Sequence, residues 1–320
     1  MRLHLGATGR RALAAFIVAA ALHATGTLSI EGYSSEFSIR AMLVLATLLG
    51  VASIGQTLVI LLGGIDLSIP FVIGFANVVA AELFGSGMDF VAVSAIVAGL
   101  ALLIGAANGA LSSTLRIHPL IVTLGIGTAV QGAVLLWTAG FPTGSAPDAV
   151  TRFVSIGGSA GPLPVPWLIP AFAGLAVIVV VMLERTPFGR RLYALGSNPQ
   201  AAPLALIGPR TIWTITYALS ALFAALAGVL LLGFTGSAYG DVGQPYLFQT
   251  IAAVVIGGTT LVGGRGGLVG TIAGALVLTE INTLLIGLGL AASTVEAALG
   301  VLIILLVSLY GREPHVRTTI

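Results

Sequence analysis

The residues of this sequence that could take part in chemistry are few, and their types argue against an enzyme. The chain has four histidines and no cysteine, and all 13 of its basic residues are arginine. Without lysine, neither the phosphate-loop motif GxxxxGK[ST] nor a lysine Schiff base can form. No histidine has a second histidine or a carboxylate at helical ligand spacing, which disfavours a metal site. The sequence therefore predicts a protein that is not an enzyme and carries no cofactor.

One carboxylate stands apart, because Glu280 falls near the middle of an otherwise apolar run. A carboxylate at membrane depth is costly unless it is neutral, paired or hydrated. Glu280 therefore supports one alternative function, a proton-coupled secondary transporter in which this residue carries the proton. A purely structural or signalling membrane subunit is a second alternative.

The other polar side chains within the apolar runs are mostly uncharged. Neutral hydrogen-bonding groups suit the passage of a sugar-like solute, whereas an ion conduit needs opposing charges or a filter of carbonyl groups. Each of them could instead make a hydrogen bond between helices. The candidates for a substrate pathway are Gln56, Asn77, Asn108, Ser112, Gln131 and Asn282. Asp66, with Ser68 and Pro70 after it, is expected to cap a helix.

The elements that must position these residues are membrane spans. The chain is 57% hydrophobic and only 8% charged, with a mean hydropathy of +1.10, whereas soluble domains are about 25% charged. Charge-free windows long enough to cross the hydrocarbon fill most of the sequence, including one between Asp241 and Arg265. Three further runs, near 68–86, 268–288 and 292–310, each contain one glutamate. We expect an all-α polytopic membrane protein, a single bundle of about ten transmembrane helices over residues 1–320.

The arginines predict how such a bundle is oriented. With ten spans and a cytoplasmic amino terminus, only Arg40 and Arg152 fall outside the cell, as the positive-inside rule requires. Both termini are then cytoplasmic. The arginines expected on the inner side are Arg2, Arg10, Arg11, Arg116, Arg185, Arg190, Arg191, Arg210, Arg265, Arg312 and Arg317.

Residues 184–210 form the longest charged segment, which this topology places in the cytoplasm. Asn198 and Pro199 form a good helix start, because the amide oxygen can cap and proline suits the first position. A short helix outside the membrane is expected to follow, and Pro203 should limit it. An inert connector that only fixes the topology is an equal alternative on these residues alone.

Glycine is expected to serve mainly the packing of helices, as in the small-residue stretch 99–109. The run Leu261-Val262-Gly263-Gly264-Arg265-Gly266-Gly267 resembles a phosphate cradle but has no lysine and joins two spans. It is predicted to be a tight cytoplasmic turn.

Several ordered motifs cover nearly the whole chain: Gly63–Ser68 (GGIDLS), Asn108-Gly109, Arg116–Gly125, Phe188–Pro199, Ile251–Thr259 and Gly263–Gly266. In order and spacing they resemble the ribose-type permease family, the membrane subunits of bacterial ABC importers for monosaccharides and related small polar solutes. The resemblance implies a location in the bacterial inner membrane, within lipid. It also implies a second permease subunit, two cytoplasmic ABC ATPase domains and a periplasmic solute-binding protein as partners, with no role for nucleic acid.

The same resemblance implies a role for the cytoplasmic segment. Residues 196–202 match the coupling helix of the family, which seats in a groove of the ATPase and transmits its closure to the spans. The residues matched in this role are Gly196, Ser197, Asn198, Pro199, Ala201 and Ala202. Where the family commonly has an acidic residue, a basic residue and glycine, this chain has Gln200, Pro203 and Leu206. These departures suggest that it works beside a non-identical permease.

Overall fold

The structure, a computed structural model, describes residues 7–115, 117–161 and 163–310. The regular structure in these ranges is helical apart from two isolated β-bridges, which confirms the all-α class. Arg2, Arg116, Arg312, Arg317 and both extreme termini lie outside the described residues. The helices are α1 (Ala7–Ser29), α2 (Glu36–Leu62), α3 (Ile69–Gly85), α4 (Phe90–Leu115), α5 (Pro119–Trp137), α6 (Asp148–Val154), α7 (Leu168–Arg185), α8 (Pro187–Ser197), α9 (Pro209–Thr235), α10 (Tyr246–Ile256), α11 (Leu268–Gly287) and α12 (Ala292–Tyr310), with short 3₁₀ helices at Ala202–Ala205 and Gly240–Gly243.

Seven of the described helices are long and apolar enough to cross a membrane: α1, α2, α4, α5, α7, α9 and α11. The helix α3 and residues 292–302 of α12 are apolar but shorter. With 11 residues, α10 is only roughly 16 Å long and cannot span alone. The prediction of a continuous transmembrane helix between Asp241 and Arg265 is therefore wrong, because the α-helix covers only Tyr246–Ile256 of that window.

The centre of the bundle is α9, which packs against α2, α3 and α4. Its contact with α4 depends on two glycines one helical turn apart. A Cβ at Gly105 would lie 2.2 Å from the carbonyl oxygen of Tyr217, and one at Gly109 would lie 2.5 Å from that of Trp213. The two backbones approach this closely only because no side chain intervenes, which is the packing expected of small residues in membrane helices. In the same stretch, Gly99 has no such neighbour.

A segment without α-helix, residues 236–245, returns from the end of α9 into the bundle, and we call it the re-entrant segment. It runs beside α3, where a Cβ at Gly74 would lie 1.9 Å from the carbonyl oxygen of Gly240 and one at Gly243 equally close to that of Pro70. Gly74 is 11 residues, about 16 Å, from the end of α3. The α-helix resumes only at Tyr246, so irregular backbone lies well inside the bundle.

The described arginines separate toward opposite ends of the bundle. Arg11 packs on Gly258 after α10, and α8, with Arg190 and Arg191, contacts the end of α2 and the loop that holds Arg265. Arg40 lies instead at the start of α2, where it pairs with Glu36. This separation agrees with the predicted distribution of charge.

Candidate transport pathway and coupling surface

The end of α8 packs closely against the end of α2 and against residues 263–267, which we call the glycine-rich loop. A Cβ at Gly196 would lie 1.9 Å from the carbonyl oxygen of Leu61 and 2.9 Å from the backbone nitrogen of Gly264. That nitrogen donates a hydrogen bond to the same Leu61 oxygen at 2.9 Å. Nearby, the Tyr193 hydroxyl donates to the carbonyl oxygen of Gly266 at 2.9 Å. Burial and the negative charge of Glu184 raise the pKa of Tyr193, which keeps this phenol protonated as a donor.

The glycine-rich loop forms a tight turn. Gly263, Gly264 and Gly266 have φ angles of +94°, +69° and +138°, a region that favours glycine. The backbone nitrogen of Thr260 closes the turn by donating to the carbonyl oxygen of Arg265 at 3.0 Å. The loop is thus shaped to receive α8.

Beyond Gly196, the chain projects as a short tip, residues 198–206. The Asn198 side-chain oxygen accepts from the backbone nitrogens of Gln200 and Ala201 at 3.1 and 3.0 Å, as predicted for a cap. The short helix predicted to begin at Pro199 does not form there. Residues 199–201 form a turn, which leads into the 3₁₀ helix Ala202–Ala205. Pro203 lies near the start of this 3₁₀ helix, where its missing donor costs nothing, and so does not end it.

The tip presents apolar side chains to its surroundings. Ala202 is buried, whereas Leu204 and Leu206 are 87% and 95% exposed. Leu206 also has a φ of +57°, the left-handed conformation for which glycine is suited. The preceding helix α8, which the sequence analysis did not predict, anchors the tip by burying Leu192 and Leu195.

A second feature is a cavity of about 270 Å³ between α3, α5 and the re-entrant segment, which we call the chamber. One face of α3 and one face of α5 form two of its walls, because the lining residues of each helix are spaced three and four positions apart. The Gln131 amide nitrogen donates to the Asp241 carboxylate at 2.9 Å across the chamber. The residues that line it are Phe71, Gly74, Phe75, Val78, Gln131, Val134, Leu135, Thr138, Gly140, Phe141, Pro142, Ala238, Tyr239, Gly240 and Asp241.

Two of the six predicted pathway residues meet at the re-entrant segment. Gln131 lines the chamber itself. Asn77 lies behind the wall, where its side-chain oxygen accepts from the backbone nitrogen of Tyr239 at 2.8 Å and its nitrogen donates to the carbonyl oxygen of Gly228 at 3.3 Å. Asn77 therefore fixes the irregular backbone to α3 and α9.

The other four predicted residues lie away from the chamber lining. Asn108 is fully buried and donates to the Ser68 hydroxyl at 2.9 Å. Gln56 and Ser112 are buried between helices, and their polar side-chain atoms have no hydrogen-bond partner among the described residues. Asn282 is half-buried on α11.

Asp66 does not cap α3 as expected, since the capping position is occupied by Ser68. Its carboxylate instead accepts from the backbone nitrogen and hydroxyl of Ser68 and, at 2.7 Å, from the Ser220 hydroxyl of α9. With Asn108, these residues form a buried polar cluster that joins the break between α2 and α3 to α4 and α9. The cluster holds the break in place within the bundle.

Glu280 is engaged in contacts between helices. Its carboxylate accepts from the Tyr33 hydroxyl at 2.8 Å and lies 3.1 Å from the Nδ1 atom of His23. The Nε2 atom of His23 lies 3.1 Å from the Ser34 hydroxyl. The sequence signals that Glu280 is unusual, and the structure shows that it joins α11 to α1 and to the loop after α1.

Most of the chamber was not predicted from the sequence. Asp241 was treated only as the boundary of a charge-free window, and Phe71, Phe75 and Tyr239 were not considered. Two signals were present. The first is the spacing of Phe71, Gly74, Phe75 and Val78 on one helix face, and the second is the glycine-rich run 236–243 before Pro245, which indicates a broken span.

A bundle of apolar helices with a broken span, a chamber and a projecting tip defines a class, the multi-pass transport subunits. Comparison with known families identifies the member: residues 38–308 match the model of the "branched-chain amino acid transport system / permease component" family, and the chain belongs to it. It is a permease subunit of a bacterial ABC importer, a transport subunit and not an enzyme, as the sequence motifs indicated.

Among curated proteins, the chain is 36% identical over 270 residues to the ribose import permease protein RbsC of Bacillus subtilis (strain 168), covering 81% of this chain and 80% of that protein. It is 31% identical over 299 residues to the fructose import permease protein FrcC of Rhizobium meliloti, covering 92% and 83%. The autoinducer 2 import system permease protein LsrD of Klebsiella pneumoniae is 31% identical over 265 residues, covering 81% and 79%. No solved structure matches the chain.

Proposed function

We propose that this permease moves a sugar or a similar small polar solute across the bacterial inner membrane, driven by separate ATPase subunits and supplied by a periplasmic binding protein. The relatives named for ribose, fructose and autoinducer 2 import support a small polar cargo. The chain has no lysine and therefore no phosphate-loop motif of its own, so hydrolysis of ATP would take place in other subunits.

The projecting tip is the observation that carries this proposal. Its end is exposed and apolar at Leu204 and Leu206, as expected of a surface that docks into a groove. Its base, at Gly196, touches the backbone of α2, a helix that is almost entirely buried in the bundle. Movement of a docked ATPase would therefore be transmitted directly to the core. In this role Gly196 and Ser197 form the base, Asn198 and Pro199 shape the turn, and Ala201 and Ala202 allow close approach.

The orientation follows from the same assignment. If the tip faces the ATPases, then Arg11, Arg190, Arg191 and Arg265 lie on the cytoplasmic side, in agreement with the positive-inside rule. The amino terminus precedes α1 on that side, and the carboxyl terminus follows α12 there. The chain thus forms one permease domain over residues 1–320, with residues 184–210 as its coupling loop.

The second permease of the complex is proposed to be a different chain. The departures from the family at Gln200, Pro203 and Leu206 all lie on the tip, so one of the two ATPase contacts would differ from the other. Co-expression of two tagged copies tests this. A functional complex containing both tags and no other permease would contradict it.

Transport itself is tested by reconstituting the chain in proteoliposomes with its ATPase subunits and binding protein. We expect uptake of radiolabelled D-ribose or D-fructose that requires ATP and the binding protein and does not respond to an uncoupler. Uptake without ATP that an uncoupler abolishes would instead support the proton-coupled alternative.

A further inference from the structure

Asp241 presents a carboxylate from the middle of the re-entrant segment, beside α3. The residue is exposed, and the adjacent Gly240 packs on Gly74 of α3, about 8 Å from the start of that helix and about 16 Å from its end. An ionisable group and irregular backbone at membrane depth are tolerated only where they are buried in protein or line a water-filled space. An exposed carboxylate at this depth needs water or further protein as its neighbour, and Asp241 lines the chamber.

The chamber walls combine aromatic faces with very few polar groups. Phe71, Phe75, Phe141 and Tyr239 supply the aromatic surface, and Gln131 with Asp241 supplies a paired amide and carboxylate. Binding sites for small molecules have this composition, in which apolar walls hold the ligand and a few polar groups orient it. The flat C–H faces of a sugar ring can lie on such aromatic surfaces.

The charge of the residues that line the chamber favours some classes of solute over others. None of the described residues lining the chamber is basic, and its charged member is acidic. An anionic solute would thus lie near Asp241 with no cation among these residues to pair with. A zwitterionic amino acid could pair its ammonium group with Asp241, but its carboxylate would have no cationic partner there. Hydroxyl groups, in contrast, can donate to the carboxylate, which has about four acceptor sites and uses one for Gln131.

We propose that this chamber is a binding site for a neutral polyhydroxylated solute during its passage, with Asp241 and Gln131 accepting and donating its hydrogen bonds. This inference rests on the proposed transport function and specifies the residues and the substrate class. The volume of about 270 Å³ lies below the usual range for drug-sized ligands, roughly 300–1,000 Å³, and suits a molecule of monosaccharide size.

The first experiment tests whether the chamber is wet, whatever the cargo. Because the chain has no cysteine, a single introduced cysteine can be labelled without background. In proteoliposomes of the assembled complex, we expect a membrane-impermeant cationic methanethiosulfonate to modify Asp241→Cys and Tyr239→Cys. Ile178→Cys, an exposed apolar position within α7, should resist it. Equal resistance at all three positions would overturn the chamber proposal.

The second experiment tests the substrate class by uptake of radiolabelled D-ribose, D-fructose and L-leucine at saturating binding protein. We expect Asp241→Asn and Gln131→Leu to lower the maximal rate of sugar uptake by about tenfold. Asp148→Asn is the matched control, since the same change is made at an exposed aspartate of α6 that does not line the chamber. ATPase activity stimulated by the binding protein should be retained in all variants, which shows that the complexes assemble.

The outcomes separate the two proposals. If the native complex transports a sugar and Asp241→Asn behaves like Asp148→Asn, the binding site is wrong and the transport function stands. If the native complex transports L-leucine and neither sugar, the sugar cargo is wrong. The labelling result then decides independently whether the chamber is a water-filled pathway.

Discussion

The carbonyl oxygen of Leu61, the penultimate residue of α2, lies 1.9 Å from the position that a Cβ of Gly196 would occupy. These residues are 135 positions apart in the sequence, and no other residue type fits at Gly196 without moving one backbone away from the other. The coupling segment is thus in direct contact with a helix that forms the interior of the bundle. This contact makes the first prediction possible.

Gly196→Ala should weaken coupling, because the new methyl group must push α8 away from α2. Overpacking of this kind costs about 1–3 kcal/mol. We expect a lower thermal unfolding temperature and a loss of ATP-driven uptake. Gly208→Ala is the matched control, since a Cβ there meets only the Thr211 hydroxyl at 3.8 Å. Equal behaviour of the two variants would show that the contact is unimportant.

Leu206→Gly should relieve strain in the tip. The left-handed conformation of Leu206 costs roughly 1–2 kcal/mol in folding free energy. Glycine avoids this cost, but it loses more conformational entropy on folding, which offsets part of the gain. We therefore expect a gain in stability of up to about 1 kcal/mol, measured by thermal unfolding. Leu204→Gly removes an equally exposed leucine from the adjoining 3₁₀ helix, where φ is not positive, and should not stabilise. If both variants lose stability equally, Leu206 is not strained.

Some features of the fold and of the candidate site could be predicted from the sequence, and others could not. The all-helical membrane class and the Asn198 cap could be predicted, because hydropathy and capping act locally. The short length of α10, 11 residues, could not be predicted, since the apolar composition of that window suits a complete transmembrane helix equally well. The chamber also escaped prediction, because Gln131 and Asp241 are 110 residues apart and meet only through the path of the re-entrant segment. The positive φ of Leu206 is not dictated by its neighbours in the chain, and its one signal is the glycine that the resembled family commonly has at this position.

Leu204→Asp should prevent docking of the ATPase without disturbing the fold. Leu204 is 87% exposed, so the aspartate stays in water in the free permease but would be buried in the groove of a partner. We expect the ATPase subunits to be lost on co-purification, while thermal unfolding of the permease alone is unchanged. Leu28→Asp, which alters a similarly exposed leucine at the far end of α1, provides the control. Loss of the ATPases in both variants would point to general misassembly instead of a docking site.

Tyr33→Phe tests whether Glu280 joins helices or carries protons. The change removes the hydroxyl that donates to the Glu280 carboxylate and leaves a buried acceptor without this donor, at a cost of about 1–3 kcal/mol. Because the contact ties the loop before α2 to α11, we expect a lower unfolding temperature with ATP-driven uptake retained at low temperature. Glu280→Gln keeps an acceptor for Tyr33 and a polar partner for His23 but cannot carry a proton. It should therefore transport at a nearly native rate, since an importer driven by ATPases needs no proton carrier. A Glu280→Gln variant that assembles normally but transports nothing would reverse this assignment and revive the proton-coupled mechanism.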